Sequence, residues 1–383
     1  MEKRFVYADN AAATAVSERV LNTMMPFFTE QYGNPSAVHG KGRESRRAVE
    51  DARKKIAECL NCQPSEIYFT SGGTESDNIA LFSALKQRSD GRGHIITTAV
   101  EHKAVLEPCR QLEKLGIRVT YIVPEESGIV SIEQVENAIE NDTVLVSIMA
   151  ANNEIGAIMP IESIGRLCRE RGIIFHTDAV QAVGKINIDV QKQCIDMMSV
   201  SGHKINAPKG IGVLYAKTGT KLSPVVYGGG QEKGMRSGTE NVPAIAAMGE
   251  AVLEAYEELE KRNGYVKALR DRLIEGLENL GGSLNGDRES RLCGNVSMSF
   301  DGFESETILL MLDMRGVCAS GGSACSSGSG VVSHVLNAIG LTESKAKGTL
   351  RFTLSERNTE EDIDYIIEAM NDVLSRLKKL REI

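Results

Sequence analysis

The chain of 383 residues contains no apolar run of the roughly 18–20 residues that a membrane-spanning helix needs. Its opening, MEKRFVYADN, turns polar too soon to form the apolar core of a secretory signal. Both absences lead to the expectation of a cytoplasmic protein without membrane contact. There is no basic excess either. Lys and Arg number 44 against 52 Asp and Glu, a net charge of −8, with the two signs interspersed. A general nucleic-acid surface needs a basic face to neutralise phosphates, so that class is excluded. Eight cysteines in a chain this long make no disulfide framework, and in a reducing compartment each is expected as a free thiol. No low-complexity block and no repeat of fixed period is found.

What remains is the composition of an ordinary globular protein, 42% hydrophobic and 25% charged. Between residues 66 and 216 short apolar runs alternate with helical patterns. Residues 67–70, 94–100, 118–123, 143–150, 173–179, 196–201 and 212–216 read as strands. Most lack strict polar alternation, as expected of strands buried on both faces. Amphipathic stretches such as 74–87, 104–115 and 161–171 lie between several of them, which implies a mostly parallel sheet covered by helices. After residue 242 the pattern changes to two long helical stretches, 242–261 and 265–280, separated by Arg262-Asn263-Gly264. Strand-like segments follow at 295–300, 317–319 and 349–355. A final helix opens near Thr359, where Thr-Glu-Glu-Asp resembles a capping box. This reads as a second, smaller α+β domain.

Three segments carry chemistry. Ser71-Gly72-Gly73-Thr74-Glu75 follows a strand and opens a helix, so it is either an anion cradle or a turn with a helix cap. It is not a Walker loop, because no Gly-Lys-Ser/Thr follows. Asp178 ends an apolar strand, where it either pairs with a cationic ring nitrogen or caps the next helix. Lys204, in Ser201-Gly202-His203-Lys204, ends another strand 26 residues later. An acid for a pyridinium and an amine for a Schiff base then occupy neighbouring strand ends.

Those segments stand in order with Tyr7-Ala8-Asp9-Asn10-Ala11-Ala12, Gly33-Asn34-Pro35-Ser36, Glu101-His102, Asn152-Asn153-Glu154-Ile155-Gly156, Asp178-Ala179-Val180-Gln181, Gly228-Gly229-Gly230-Gln231-Glu232, Arg236-Ser237-Gly238-Thr239, Gly322-Ser323-Ala324-Cys325 and Leu350-Arg351-Phe352. Together they make the chain similar to the NifS/IscS-like cysteine desulfurases. These lie within the class V aminotransferase group of fold type I enzymes that use pyridoxal 5'-phosphate (PLP).

The resemblance implies an α/β fold with a large PLP-binding domain, residues 13–261, on a mostly parallel seven-stranded sheet. Residues 1–12 and 262–383 would form the smaller α+β domain carrying the catalytic cysteine loop. It implies that Lys204 holds PLP and moves the Cα proton, that Asp178 keeps the ring nitrogen protonated, and that His102 stacks on the ring and serves as acid–base. Gln181 would contact the ring hydroxyl. Gly73, Thr74, Ser201 and His203 would hold the phosphate, with Thr239 supplied by a partner subunit of a homodimer. Asn153 would lie against the cofactor and join Arg351 and Asn34 in holding the carboxylate of L-cysteine. Taken alone, His102 also reads as a surface or capping group, and Arg351 as half of an internal ion pair.

The expected sulfur acceptor is Cys325. It sits in a segment, residues 319–330, in which nine of twelve residues are Gly or Ser, a composition suited to a flexible chain that brings a thiol into a site and out again. The Ser-Ala-Cys-Ser-Ser-Gly-Ser sequence resembles the longer-loop members; the short Arg-x-Gly-His-x-Cys pattern is absent. Two departures are visible. Gly330-Val331-Val332 stands where many relatives have Leu-Glu-Pro, and the chain stops at Arg381-Glu382-Ile383, short of the tail that some members use to dock a scaffold protein. Both leave open which sulfur-acceptor protein, iron–sulfur scaffold or thiolation protein, is served. Cys59-Leu60-Asn61-Cys62 is read as helix-end packing, and no metal site is expected. The alternatives are a selenocysteine lyase or cysteine-sulfinate desulfinase sharing the PLP residues, an aminotransferase of the same fold, and an assembly protein without cofactor.

Overall fold

The computed structural model describes residues 4–87, 93–322 and 332–381. After a two-residue strand, β1 (Val6–Tyr7), come β2 (Ile67–Thr70), β3 (His94–Thr98), β4 (Arg118–Ile122), β5 (Thr143–Ser147), β6 (Ile174–Asp178), β7 (Met197–Ser201) and β8 (Gly212–Ala216). The last seven form one sheet in the order β2-β8-β7-β6-β5-β3-β4. Only β8 runs against its neighbours β7 and β2; the other pairs are parallel. The fold is therefore α/β with a mostly parallel seven-stranded sheet. The carboxyl ends of β2, β3, β5, β6 and β7 all open on the same edge, the edge where such sheets bind ligands.

Both faces of the sheet are buried, which is why its strands lack polar alternation. Ile95, Leu145 and Leu214 face one core together with Ile79, Val105 and Leu112 from the helices Gly73–Phe82 and Lys103–Lys114. Their neighbours Ile96, Val146 and Val213 face a larger core with Ile56, Ile164 and Met248, from the helices Gly40–Leu60, Ile161–Arg171 and Val242–Tyr256. A separate core, including Leu273, Val296, Phe352 and Ile366, lies under a second sheet. That sheet is made of β9 (Ser283–Leu284), β10 (Asn295–Ser299), β12 (Ser320–Gly321) and β13 (Thr349–Thr353) in the order β12-β13-β10-β9. It is antiparallel and backed by the helices Leu259–Asn279 and Glu360–Arg381. The short strand β11 (Val317–Cys318) pairs in parallel with β1, tying the chain start to this part.

The break between the two long helices lies at Glu257 and Glu258, not at Arg262-Asn263-Gly264. Glu258 has φ 49°, and the second helix starts at Leu259. Arg262 explains the difference: its guanidinium donates to the carbonyls of Glu254, Ala255 and Glu257 at the end of the first helix. Asn263 donates to the Lys185 carbonyl. The polar triplet thus secures the corner from within the next helix, and Gly264 costs that helix only about 1 kcal/mol relative to Ala. At Thr359 the expected cap is present. Asp362 accepts from the Thr359 N–H at 3.2 Å, and Thr359 Oγ1 accepts from the Asp362 N–H at 3.3 Å.

One buried ion pair fixes the loop that follows β8. Arg53, on the helix Gly40–Leu60, donates to both oxygens of Glu232, and Glu232 also accepts from the Phe69 N–H in β2. Both side chains are nearly inaccessible. Glu232→Ala removes the buried carboxylate and leaves the guanidinium only the half-exposed Glu50 and the Ile67 carbonyl, and is expected to lose about 3 kcal/mol in denaturant unfolding. Pairing it with Arg53→Met should recover most of that loss; equal losses for the single and the double variant would show that the pair is not what holds the loop.

Candidate active site

The carboxyl edge of the large sheet opens into a cavity of about 390 Å³. At its β2 side, Ser71-Gly72 turns into the helix Gly73–Phe82, whose first N–H groups have no carbonyl partner inside the helix. Gly73 permits this close approach: a Cβ there would stand 2.5 Å from Val180 Cγ2. Gly212 does the same from β8, where a Cβ would stand 2.6 Å from the Gly72 Cα. Glu75, the acid of the first turn, points away from the cradle. It accepts from the Ser71 N–H at 2.9 Å and pairs with Arg236 at 3.2 Å. Thr74 lines the cavity, as do Ser201 and His203 from the end of β7. Ser201 Oγ lies 2.8 Å from His203 Nδ1, and burial, helped by Lys204 and Lys209, pushes His203 down to about 4. The cradle therefore offers neutral donors and a helix N-terminus.

Lys204 and Asp178 line this same cavity. The segment after β1 turns between the two sheets, with the Ala11 N–H donating to Thr353 Oγ1. It brings the carbonyls of Ala11 and Ala12 to the Lys204 ammonium, which donates to them at 2.6 and 2.8 Å. Asp178 accepts from the Val180 N–H at 2.9 Å, so it is a helix-capping group and a cavity group at once. Burial pushes its carboxyl up, while the Val180 N–H, His102 and Lys204 oppose that.

Behind Asp178 the protein keeps its other titratable groups neutral. Asp77 is buried, its Oδ1 3.6 Å from His176 Nε2 but without a hydrogen bond, and burial together with Asp178 drives it well above the carboxylate range. Glu101 is pushed up to about 8, chiefly by burial, although it accepts from Thr98 Oγ1 and the Met149 N–H. His176, between Ser147 and Ser199, is pushed down to about 3 by burial. Three close buried carboxyls cannot all ionise in so dry a place. Asp178 is the one held toward its charged form by a neighbouring cation.

His102 caps the helix Lys103–Lys114. Its Nδ1 accepts from the Ala104 N–H at 3.1 Å, which puts the ring proton on Nε2. It also lines the cavity, and burial lowers its affinity for a second proton, with only Asp178 among its charged neighbours pulling the other way. Arg351, from β13, is 1% exposed. It donates to the Asn153 carbonyl at 3.0 Å and to Asp9 at 3.0 Å, and its buried Nε has no partner. Arg351 forms the internal ion pair that its sequence also suggested, and it lines the cavity. Asn153 and Gln181 line it too.

The cavity thus gathers Gly73, Thr74, His102, Asn153 and Asp178 with Gln181, Ser201, His203, Lys204 and Arg351. Asn34 is exposed, its side chain accepting from the Ser36 N–H, and Thr239 is exposed; neither lines the cavity. Cys325 lies outside the described residues. Several lining residues were given no role from the sequence, among them the titratable Asp77, Lys103, Glu154 and His334, although Glu154 stood in the Asn152–Gly156 segment. Glu154 accepts from Ser333 and is pushed up to about 7 by burial, and His334 donates to the Glu101 carbonyl at 2.9 Å. Their only sequence signal is position, Glu154 beside Asn153 and His334 just after the Gly/Ser segment. Cys59 and Cys62 are half-buried helix-end thiols raised by burial to about 11 and 12, and no metal-holding cluster exists among the described residues. Nor is any described helix long and apolar enough to cross a membrane.

The aminotransferase class-V model matches residues 6–366. A cysteine desulfurase IscS of Methanosarcina thermophila is 46% identical over 99% of this chain and 94% of its own length. The IscS of Clostridium botulinum is 46% identical over 98% and 96%. Among solved structures, a NifS-like protein superposes with a TM-score of 0.92 at 40% identity, covering 97% of this chain and all of its own. SspA in complex with cysteine gives a TM-score of 0.80 at 38% identity over 92% and 99%. With its sheet edge, its cavity and these full-length likenesses in agreement, the chain belongs to the class-V aminotransferase family, among the IscS- and NifS-like cysteine desulfurases.

Proposed function

We propose that this protein is a PLP-dependent cysteine desulfurase that takes sulfur from L-cysteine, releases L-alanine and leaves a persulfide on Cys325. The observation that carries this reading is the shared cavity of Lys204 and Asp178, with an anion cradle at one side and Arg351 at another. The residues fit the cofactor. The cradle is closed to any side chain at Gly73, its donors are neutral or helical N–H groups, and Asp178 is the buried acid that His102 and Lys204 pull toward its charged form. Gly73, Thr74, Ser201 and His203 would hold the phosphate, Asp178 the ring nitrogen, and Gln181 the ring oxygen. When bound, PLP supplies an electron sink for the pair left when the substrate Cα–H bond breaks.

The chain's own groups do the rest. The guanidinium of Arg351 has five N–H donors, and its contacts with Asn153 and Asp9 leave others for the substrate carboxylate, with Asn153 beside it. Lys204 Nζ takes the Cα proton and returns it on the way to alanine. His102, with its proton on Nε2, would serve as an acid–base group from the cavity wall. The Cys325 thiolate attacks the substrate sulfur; the C–S bond breaks and an S–S bond forms. Cysteine and enzyme thiol thus become alanine and persulfide with no outside oxidant.

Residues 13–261 serve as the large domain, and 1–12 with 262–383 as the small one. A homodimer fits the exposed Phe28, Tyr32 and Val38 near the chain start, since such apolar side chains in one stretch mark a contact surface. It would also bring the partner's Thr239 to the phosphate. The persulfide passes to a sulfur-acceptor protein in the cytoplasm. The test is to incubate the purified protein with PLP and L-cysteine and count products. Alanine and protein-bound sulfur are expected to appear one for one in the first turnover. Turnover of selenocysteine or cysteine sulfinate with no sulfur left on the protein from L-cysteine would move the reading to the alternative lyase or desulfinase.

A further inference from the structure

The Gln181 amide is held from both ends by groups of fixed sense. Its Nε2 donates to the Ala11 carbonyl at 3.0 Å, and its Oε1 accepts from Lys185 Nζ at 3.0 Å. A carbonyl only accepts and an ammonium only donates, so turning the amide over breaks both bonds. Lys204 donates to the same Ala11 carbonyl at 2.6 Å, which fills that oxygen's two acceptor positions. One Nε2–H of Gln181 is then left over, on a residue that lines the Lys204 cavity.

We propose that Lys185 is a positioning residue: by donating to Gln181 Oε1 it fixes the amide so that an N–H, and not the carbonyl, meets the oxygen substituent of the bound ring. This rests on the reading of the cavity as a PLP site. An N–H there favours the ionised ring oxygen; a carbonyl would repel it.

The placement of Lys185 suits the role. It stands four residues beyond Gln181 in the turn after β6, its own N–H donating to the Ala182 carbonyl at 2.9 Å. It borders a second cavity of about 240 Å³ whose wall includes Ala11, Gln181 and Lys204. That cavity backs onto the first, so Lys185 acts on the site from behind without touching the substrate side. Burial lowers the amine to about 8, with Arg351 acting in the same direction and Cys293 and Glu356 in the other; at neutral pH the ammonium still predominates.

Three replacements separate this role from a plain structural tether. Lys185→Met removes the donor and keeps the length, Lys185→Glu puts an acceptor where Gln181 needs a donor, and Lys185→Arg keeps a donor. The readout is the pH titration of the cofactor's absorbance band in the holoenzyme, alongside the affinity of the apoprotein for PLP. Lys185→Glu is expected to raise the midpoint by about one unit, a tenfold change in the proton equilibrium, and Lys185→Met by less. Lys185→Arg should titrate as the wild type. On a Gln181→Ala background Lys185→Glu should add nothing, because the effect travels through the amide.

Midpoints of the Met and Glu variants equal to the wild type's overturn the proposal. So does an equal shift with and without Gln181, which would mean a direct charge effect. If Lys185→Glu takes up no cofactor, the Met and Arg variants decide alone. A wild-type protein that shows no band after PLP is added sinks the cofactor reading itself, an outcome distinct from either.

Discussion

Lys204→Ala is expected to cut alanine formation from L-cysteine by about 10⁴-fold or more while leaving the protein folded. The size follows from the two tasks assigned to one nitrogen, holding the cofactor and moving the Cα proton, and proton transfer alone supplies about 10²–10⁴-fold. The fold should survive because the Ala11 carbonyl, one of the groups to which the amine donates, is also held by Gln181, and Ala11 is tied to Thr353 through its own N–H. The small loss of stability and the large loss of rate can be read separately, by unfolding of the apoprotein and by product analysis. A small added amine, such as methylamine, should restore part of the proton transfer. A variant that keeps more than about a hundredth of the wild-type rate, well inside the range of proton transfer alone, would remove Lys204 from the centre of the chemistry.

The large sheet was legible because its strands are apolar on both faces and stop at glycine- or acid-bearing turns. The segments 67–70 and 212–216 were read to the residue. The segments 94–100 and 143–150 ran past the strand ends at Thr98 and Ser147, because Val100 and residues 148–150 are apolar and buried, and Ile148 and Ala150 still donate to carbonyls of β6. The helix break at 262–264 was misplaced for a tertiary reason: Arg262 caps the preceding helix from a position inside the following one, and sequence pattern alone does not reveal such a contact.

In the site, the residues at strand ends were found because chemistry and topology coincide there. Asp77, Glu154 and His334 were given no role, since an acid within a helix and a histidine after a loop look like surface groups until packing buries them against Asp178, Asn153 and Glu101. The alternatives posed for Asp178, His102 and Arg351 were not exclusive. Each makes a structural hydrogen bond and still borders the cavity, which is how a rigid scaffold holds a reactive group in place.

The sulfur acceptor can be argued from the other seven cysteines. A thiol attacks a sulfur atom only as its thiolate, so an acceptor needs an ordinary or depressed pKa and access to the cavity. Cys109 and Cys168 are buried, and burial raises both to about 12. Cys59 and Cys62 are raised to about 11 and 12. Cys293 is raised by burial despite Lys185 and two arginines nearby, and Cys318 by burial with Asp313 and Asp9. Cys194 is buried. None of the seven borders the cavity that Lys204 shares with Asp178; Cys293 lines the second cavity, behind Lys204. The eighth cysteine, Cys325, stands among glycines and serines nine residues before His334, which does border the cavity shared by Lys204 and Asp178. Cys325→Ser should therefore bind PLP and show the wild-type absorbance change on meeting L-cysteine, yet form alanine at about a hundredth of the wild-type rate or less, since serine is a far weaker nucleophile toward sulfur. Mass spectrometry of the wild type after one turnover should find the extra sulfur atom on the peptide that holds Cys325. If the variant still gains that sulfur on another cysteine at the wild-type rate, the persulfide belongs to that residue, and the Gly/Ser segment needs a different explanation.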